Sequence, residues 1–375
     1  MGFDELINRV SVSPKSSPEG GLFLLRLDAI GDFVVWLDAA EGIRRHYENT
    51  EITLVGNALW TDLAKRLPYF DRVISVMPHR FRHNLSYRCR ILRALSRTTY
   101  QAAFHLAHRR KGRFADAEAI LRYIRAKKKV ASKGDVPEAW RRRWSDRWYT
   151  DTLPISQSAM ELRRNASFVR QIGPEDFQAG LPTLPTNCLP TVPGELPDTY
   201  YVLFPGAGSE RRKWGCARFA RIADRMYEET GWTGIICGGP GEENLGKKIK
   251  SLTEATLENH IGGTTLSELA AVIAGAQVLI GNETSAVHLA TAVATPSVCV
   301  LGGGHYGRFV PYETEEENPN RPVPRPVINK MPCFQCDWDC CFDIGSKATA
   351  PCVDRITVEA VWEQTHAVLR SIQSG

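Results

Sequence analysis

The sequence predicts an α/β protein of two similar halves, each a parallel sheet covered by helices, and three observations carry that expectation. Short apolar runs alternate with helix-length amphipathic segments from Gly21 onward, a proline-rich stretch at residues 181–197 interrupts the alternation, and the alternation then starts again. At 375 residues the chain also exceeds the size at which one hydrophobic core usually keeps growing, so two domains are expected.

In the first half, Leu22 to Leu27 reads as a buried strand, Asp32 to Tyr47 as a helix, Glu51 to Val55 as a strand, Leu59 to Leu67 as a helix and Arg72 to Val76 as the next strand. Arg88 to Arg97, Tyr100 to Leu106 and Phe114 to Arg125 continue the pattern. The basic, tryptophan-bearing stretch Trp140 to Trp148 breaks it as a long loop, and Glu161 to Ile172 reads as a helix. The proline-rich linker follows, too rich in proline to continue any element.

The second half opens with strand Tyr200 to Phe204, helix Ala217 to Glu229, strand Thr233 to Cys237 and helices Leu245 to Ala255 and Leu266 to Ala274. It closes with strand Gln277 to Ile280, helix Ala286 to Ala294 and strand Ser297 to Leu301. The expected division is 1–185, 186–357 with a cysteine-rich segment at 331–352, and a helix within 358–375 that crosses back to the first domain. Two such halves describe a pair of Rossmann-like domains facing each other across a cleft.

Hydrophobic residues make up 43% and charged residues 24%, the balance of a globular protein. The first twenty residues hold no apolar run of signal-peptide length, so a cytoplasmic chain is expected. No run is long and apolar enough to span a bilayer, while peripheral contact with the inner face of a membrane stays open. The net charge of +5 hides an asymmetry: residues 79–148 hold twenty Lys or Arg against five Asp or Glu. That excess points either to an anionic partner or to a solvated helical surface.

Four strand-end turns carry candidate chemistry. In Arg26-Leu-Asp-Ala-Ile-Gly-Asp32, Gly31 permits close backbone approach, and Asp32 either caps the helix or serves as a general base near a bound hydroxyl. Phe204-Pro-Gly-Ala-Gly-Ser-Glu-Arg-Arg-Lys-Trp214 brings Gly206, Ser209 and Lys213, with Arg211 or Arg212 beside them, to a loop whose N–H groups suit phosphate oxygens; an ordinary turn is the alternative. Gly281-Asn-Glu-Thr-Ser-Ala-Val-His288 opens a helix at Thr284, Ser285 and Ala286, where unpaired N–H donors and the helix dipole favour a diphosphate. His288 either reaches the substrate or is a structural histidine. At Gly238-Gly-Pro-Gly-Glu-Glu243, Glu242 is placed to accept from ribose hydroxyls or simply to complement the helix start.

Taken in order, LLRLDAIGD, FPGAGSERRKW, GGPGEEN and GNETSAVHLATAVATPSVCVLGG resemble glycosyltransferase family 9, which includes the ADP-heptose-dependent heptosyltransferases of lipopolysaccharide assembly. The resemblance covers most of the chain and implies a GT-B fold and an inverting sugar transfer that needs no catalytic metal. It also implies a nucleotide-sugar donor, ADP-heptose foremost, and an acceptor that is an anionic saccharide, lipid or protein; self-association stays open. By that resemblance Asp32 is the catalytic aspartate, Lys213 the phosphate-contacting lysine and Thr284–Ser285 the diphosphate-binding turn. The chain departs from the family pattern at Glu283-Thr284-Ser285, where Asp-Thr-Gly or Asp-Ser-Gly is frequent, so Glu283 bears on the donor sugar.

Of ten cysteines, five crowd into Cys333, Cys336, Cys340, Cys341 and Cys352. Four thiolates at such spacing suit a tetrahedral structural site, with Cys341 as the alternate ligand, for zinc or for iron; reduced or partly disulfide-linked cysteines are the other reading. Iron enters because some bacterial protein heptosyltransferases resembling this family carry it on C-terminal cysteines. Two other classes fit less well. Nucleic-acid or anion binding without catalysis would use the basic stretch 109–148, and a sugar-nucleotide epimerase or dehydrogenase would need a dinucleotide fingerprint at the first strand, which is lacking.

Overall fold

A computed structural model describes residues 20–108, 115–135, 146–192, 194–316, 320–345 and 348–373. The first half contains strands β1 (Leu22–Arg26), β2 (Ile52–Asn57), β3 (Arg72–Val76), β4 (Thr99–His105), β5 (Arg125–Ser132) and β6 (Asp151–Leu153). The second contains β7 (Tyr200–Phe204), β8 (Thr233–Ile236), β9 (Leu257–Asn259), β10 (Leu279–Asn282), β11 (Ser297–Val300) and β12 (Arg325–Val327). All pairings are parallel, in the orders β3-β2-β1-β4-β5-β6 and β12-β11-β10-β7-β8-β9. The two sheets share one plan, in which the strand order reverses beside the first strand, at β1/β4 and at β7/β10. Crevices at those switch points are where ligands bind in open sheets. The architecture is the GT-B one expected from the sequence.

β1, β2, β7, β10 and β11 are buried along their whole length, the reason their sequences read as unbroken apolar runs. Strands missed by that reading lack the signal: β5 is Arg-Ala-Lys-Lys-Lys in its first five residues and half exposed, and β12, an edge strand, carries Pro326.

The helices of the first half are α1 (Ile30–Val35), α2 (Leu37–His46), α3 (Thr61–Ala64), α4 (Pro78–His83), α5 (Leu85–Leu95), α6 (Ala115–Tyr123) and α7 (Glu161–Ile172). The single helix expected over Asp32–Tyr47 is in fact two. At Trp36 the N–H turns back to Phe33 O at 3.1 Å, a tighter turn that leaves the Trp36 ring buried and stacked on Phe70. α3 is shorter than Leu59–Leu67 because the Asn57 side chain holds Leu59 N at 3.1 Å in a turn before it. Most of the basic Trp140–Trp148 stretch, residues 140–145, lies outside the described residues.

In the second half α8 (Cys216–Thr230), α9 (Glu243–Lys250), α10 (Leu266–Gly275), α11 (Ser285–Ala292), α12 (Pro351–Asp354) and α13 (Val358–Gln373) follow. The terminal helix does not take the expected path back to the first half. Val361, Val368 and Leu369 join the core that holds Tyr201, Phe219 and Val300, and Trp214 Nε1 donates to Ile356 O at 2.8 Å just before the helix. Its apolar stripe is therefore spent on α8, β11 and β12.

The halves meet along a shared apolar seam in which Phe33, Trp36 and Leu37 pack in one cluster with Phe204, Ala286 and Leu289. Across the seam Leu184 N donates to Ala292 O at 2.8 Å, and the Arg321 guanidinium ties Pro182 O to Thr291 O. The linker is thus pinned to the end of α11. No described helix is long and apolar enough to cross a membrane.

Candidate active site

The chain leaves β1 through Asp28 and Ala29 and enters α1. Ala29 is the N-cap residue and its side chain makes no cap bond, so Asp32, three residues further on, is not the cap of this helix. Asp32 is half-buried and close enough to Asp28 for its charge to raise the Asp28 carboxyl. A Cβ at Gly31 would stand 3.2 Å from His288 Cδ2 and 3.9 Å from Ser285 Cα. The first turn of α1, which carries Asp32, therefore lies directly against the first turn of α11.

Asn282 at the end of β10 fixes the facing loop. Its Nδ2 donates to Pro205 O at 2.7 Å, and its Oδ1 accepts from Trp214 N at 3.2 Å. Thr284 caps α11, its Oγ1 accepting from Ala286 N at 3.3 Å. That leaves Ser285, half-buried beside it, as the hydroxyl without a cap to make. Glu283 is 3% exposed, and burial pushes its carboxyl up while Arg212 pulls it down. The Arg212 guanidinium lies 3.3 Å from Glu283 Oε2 and also donates to Glu283 O. Arg212, given less weight than Lys213 in the sequence, thus holds the residue that precedes the Thr284 cap of α11.

Lys213 Nζ is held by Glu210 Oε1 at 2.6 Å and lies 3.8 Å from Glu242 Oε1. Glu242 in turn accepts from Gly239 N at 3.2 Å, and its carboxylate fills the space over Gly206, where a Cβ would be 2.2 Å from Oε2. The glycine here admits a carboxylate. Ser209 is exposed and makes no cap bond, outside these contacts.

His288 is one turn into α11. Its Nδ1 shares a 2.6 Å hydrogen bond with Tyr312 Oη, the rings stack at 5.8 Å, and burial pushes the imidazole down to about 3. Tyr312 went unnoticed in the sequence, where only an aromatic in an acidic loop marks it.

A buried polar network under β1 was missed as well. Arg26 grips Asp28 through Nε at 3.0 Å and Nη2 at 2.9 Å. Arg164 forms a two-pronged bond to Asp135, at 2.6 and 3.1 Å, and lies 3.5 Å from Glu161. Arg308, from the second half, stands 3.6 Å from Glu161 and 3.9 Å from Asp135. Burial would raise Glu161, but His108, Arg164, Arg308 and Arg26 around it hold its carboxyl below the ordinary value. The one signal available was an arginine closing the apolar run LFLLR.

Cys333, Cys336, Cys340 and Cys352 line one small cavity of about 10 Å³ together with Met331, Trp338 and Phe342. Cys341 is exposed, with its thiol hydrogen-bonded to Cys333, and both cysteines are free thiols. Cys352 Sγ accepts from Gly303 N at 3.4 Å. Among the described residues no three His, Cys, Asp or Glu side chains are gathered closely enough to hold a metal ion as they stand.

The buried histidines set a sign for stability against pH. His288 and His108 are held neutral, at about 3 and about 4 against an ordinary 6.5, so their contribution is complete above 6.5 and is lost as pH falls toward those values. Chemical denaturation of the protein and of His288→Gln from pH 7.5 to 4.5 should show the stability difference between them shrinking below pH 6.5, by about 1.4 kcal/mol per pH unit at most. A difference that stays constant with pH would contradict a buried neutral imidazole.

Residues 159–334 match the family model described as glycosyltransferase family 9 (heptosyltransferase). Lipopolysaccharide heptosyltransferase 3 of Escherichia coli is 27% identical over 28% of this chain, and the match spans 31% of that relative's length. Lipooligosaccharide heptosyltransferase 2 of Campylobacter jejuni is 22% identical over 82% of this chain and 88% of the relative. Solved structures share the fold. A family 9 glycosyltransferase of Veillonella parvula superposes with a TM-score of 0.75 at 14% identity, covering 94% of this chain and 98% of its own. The E. coli ADP-heptose lps heptosyltransferase II gives 0.69 at 16%, covering 94% and 99%. The iron-containing dodecameric glycosyltransferase TibC of enterotoxigenic E. coli gives 0.57 at 14%, covering 94% and 77%. Residues 159–334 are thus similar to glycosyltransferase family 9, and the chain shares the fold of solved structures of that family.

Proposed function

We propose that the protein is an inverting glycosyltransferase that moves a heptose from ADP-heptose to an acceptor hydroxyl. The observation that supports this reading is the close packing of the α1 and α11 first turns at Gly31, His288 and Ser285; Asp32, the residue after Gly31, is read as the carboxylate that faces an anion held at the start of α11. Asp32 takes the proton from the acceptor hydroxyl as that oxygen bonds to the anomeric carbon, and the bond from that carbon to the diphosphate oxygen breaks on the opposite face. The configuration inverts, and ADP leaves with the bonding pair.

Negative charge grows on the leaving oxygen, and the groups that answer it are the N–H donors opening α11, the Ser285 hydroxyl, Lys213 and Arg212. Glu242, beside Gly206 and Lys213, is read as the ribose partner. Glu283 is engaged by Arg212, so it meets the sugar as a neutralised pair rather than as a bare carboxylate. The related proteins' names supply the heptose and the ADP. An anionic acceptor, whether saccharide, lipid or protein, is inferred from the run Arg72 to Arg97, which holds seven arginines and no acid.

Among a panel of nucleotide-sugars, ADP-heptose should raise the melting temperature most. Asp32→Asn should lower transfer by about 10² to 10⁴-fold while keeping that donor-induced shift. Equal loss of both, or no shift with any nucleotide-sugar, would contradict the assignment.

The cysteine segment is read as a structural metal site apart from the chemistry. Four soft thiols around one cavity are a donor set for zinc or iron, with Cys333, Cys336, Cys340 and Cys352 as the holders. Elemental analysis should find about one such ion per chain, lost in a Cys336→Ser, Cys340→Ser variant; metal-free protein purified without chelator would rule this out.

A further inference from the structure

The triple glycine Gly302-Gly-Gly304 follows β11 at the sheet edge where a ligand loop would be sought, yet its space is filled by protein. A Cβ at Gly302 would lie 2.4 Å from Trp338 Cη2, one at Gly303 2.3 Å from Phe334 Cδ1, and one at Gly304 2.4 Å from Trp338 Cδ2. The glycines therefore seat two aromatic rings of the cysteine segment. Gln335 N donates to Gly303 O at 2.7 Å and Asp337 N to Gly304 O at 2.9 Å, which fastens the segment to the turn. Asp337 and Trp338 hold left-handed φ values of 51° and 61°, an uncommon conformation for residues with side chains that packing and hydrogen bonds must maintain.

The same segment is tied to the loop after β7. The Arg212 guanidinium lies 5.4 Å from the centroid of the Trp338 ring. Arg211 Nη1 donates to Trp338 O at 3.2 Å, Ala350 N donates to Arg211 O at 2.9 Å, and Thr349 Oγ1 donates to Lys213 O at 2.9 Å. Trp338 is thus wedged between the glycine turn and Arg212, and Arg212 continues to Glu283 at the start of α11. A flexible arginine held against an indole face loses less freedom when it engages an anion.

We propose that Trp338 is a positioning residue for the nucleotide diphosphate, acting through Arg212, and that the segment 331–352 thereby sets the geometry of the donor loop. This rests on the reading of Arg212 and the α11 start as the diphosphate grip. Trp338 itself touches no reacting atom. Its ring orients a cation that would otherwise sample many rotamers around a buried carboxylate.

Calorimetric titration with ADP tests it. Trp338→Leu keeps apolar bulk over the glycines but removes the π face, and should weaken ADP binding about tenfold, whereas Trp338→Phe should stay within about threefold of the unaltered protein. In an Arg212→Gln background the Leu substitution should add little further loss, since its effect runs through the missing guanidinium. Melting curves on each variant separate this from unfolding. If the unaltered protein binds ADP and Trp338→Leu binds it equally well, or if the losses from the two substitutions simply add, the positioning role is wrong while the functional reading stands. If the unaltered protein binds no ADP, both fall together.

Discussion

The site depends on one close approach, the packing of two helix starts from different halves of the chain. A methyl group at Gly31 would press on His288 Cδ2 at 3.2 Å, tighter than ordinary van der Waals contact, so a larger residue there would have the imidazole give way by a few tenths of an ångström. Each helix begins at the switch point of its own sheet, α1 after β1 and α11 after β10. His288, at the contact, is kept uncharged by burial and is bonded to Tyr312, so it supports the seam without adding a cation that would compete for the incoming anion.

Around that contact Lys213, Arg212 and Arg26 each already have a carboxylate. Lys213 lies between Glu210 and Glu242, Arg212 is on Glu283, and Arg26 is on Asp28. Pairing of this kind lowers the cost of holding positive charge in a half-buried place before a ligand arrives, and removing one partner leaves the other uncompensated. Arg308 adds a link between the halves, since it reaches from the second half toward Glu161 and Asp135 in the first. Charge and packing thus hold the two halves in one relation.

Much of this was legible in the residues. The central strands declared themselves because they are buried on both faces, and Glu161–Ile172 appears with the bounds its periodicity predicts. Gly31, Asp32, Thr284, Ser285 and His288 stand together because turns at carboxyl ends of parallel strands converge by topology. What stayed hidden depends on partners distant in sequence. The loop with Gly206 reads as a phosphate loop with no sign of the Glu242 carboxylate beside the glycine, and nothing in the sequence announces that Gly302 to Gly304 seat Phe334 and Trp338. The break at Trp36 answers to its stacking on Phe70, and the terminal helix goes where Tyr201 and Phe219 offer an apolar face. Periodicity states that a stripe will be buried and leaves open against what.

A crystal structure with ADP bound would show whether a diphosphate is gripped at the start of α11 within reach of the α1 carboxylate. The expected arrangement has the terminal phosphate on the amides of Thr284 and Ser285, between Arg212 and Lys213, with the Asp32 carboxylate facing the same space. Nucleotide bound elsewhere, or an Asp32 side chain directed away from the phosphate, would contradict it.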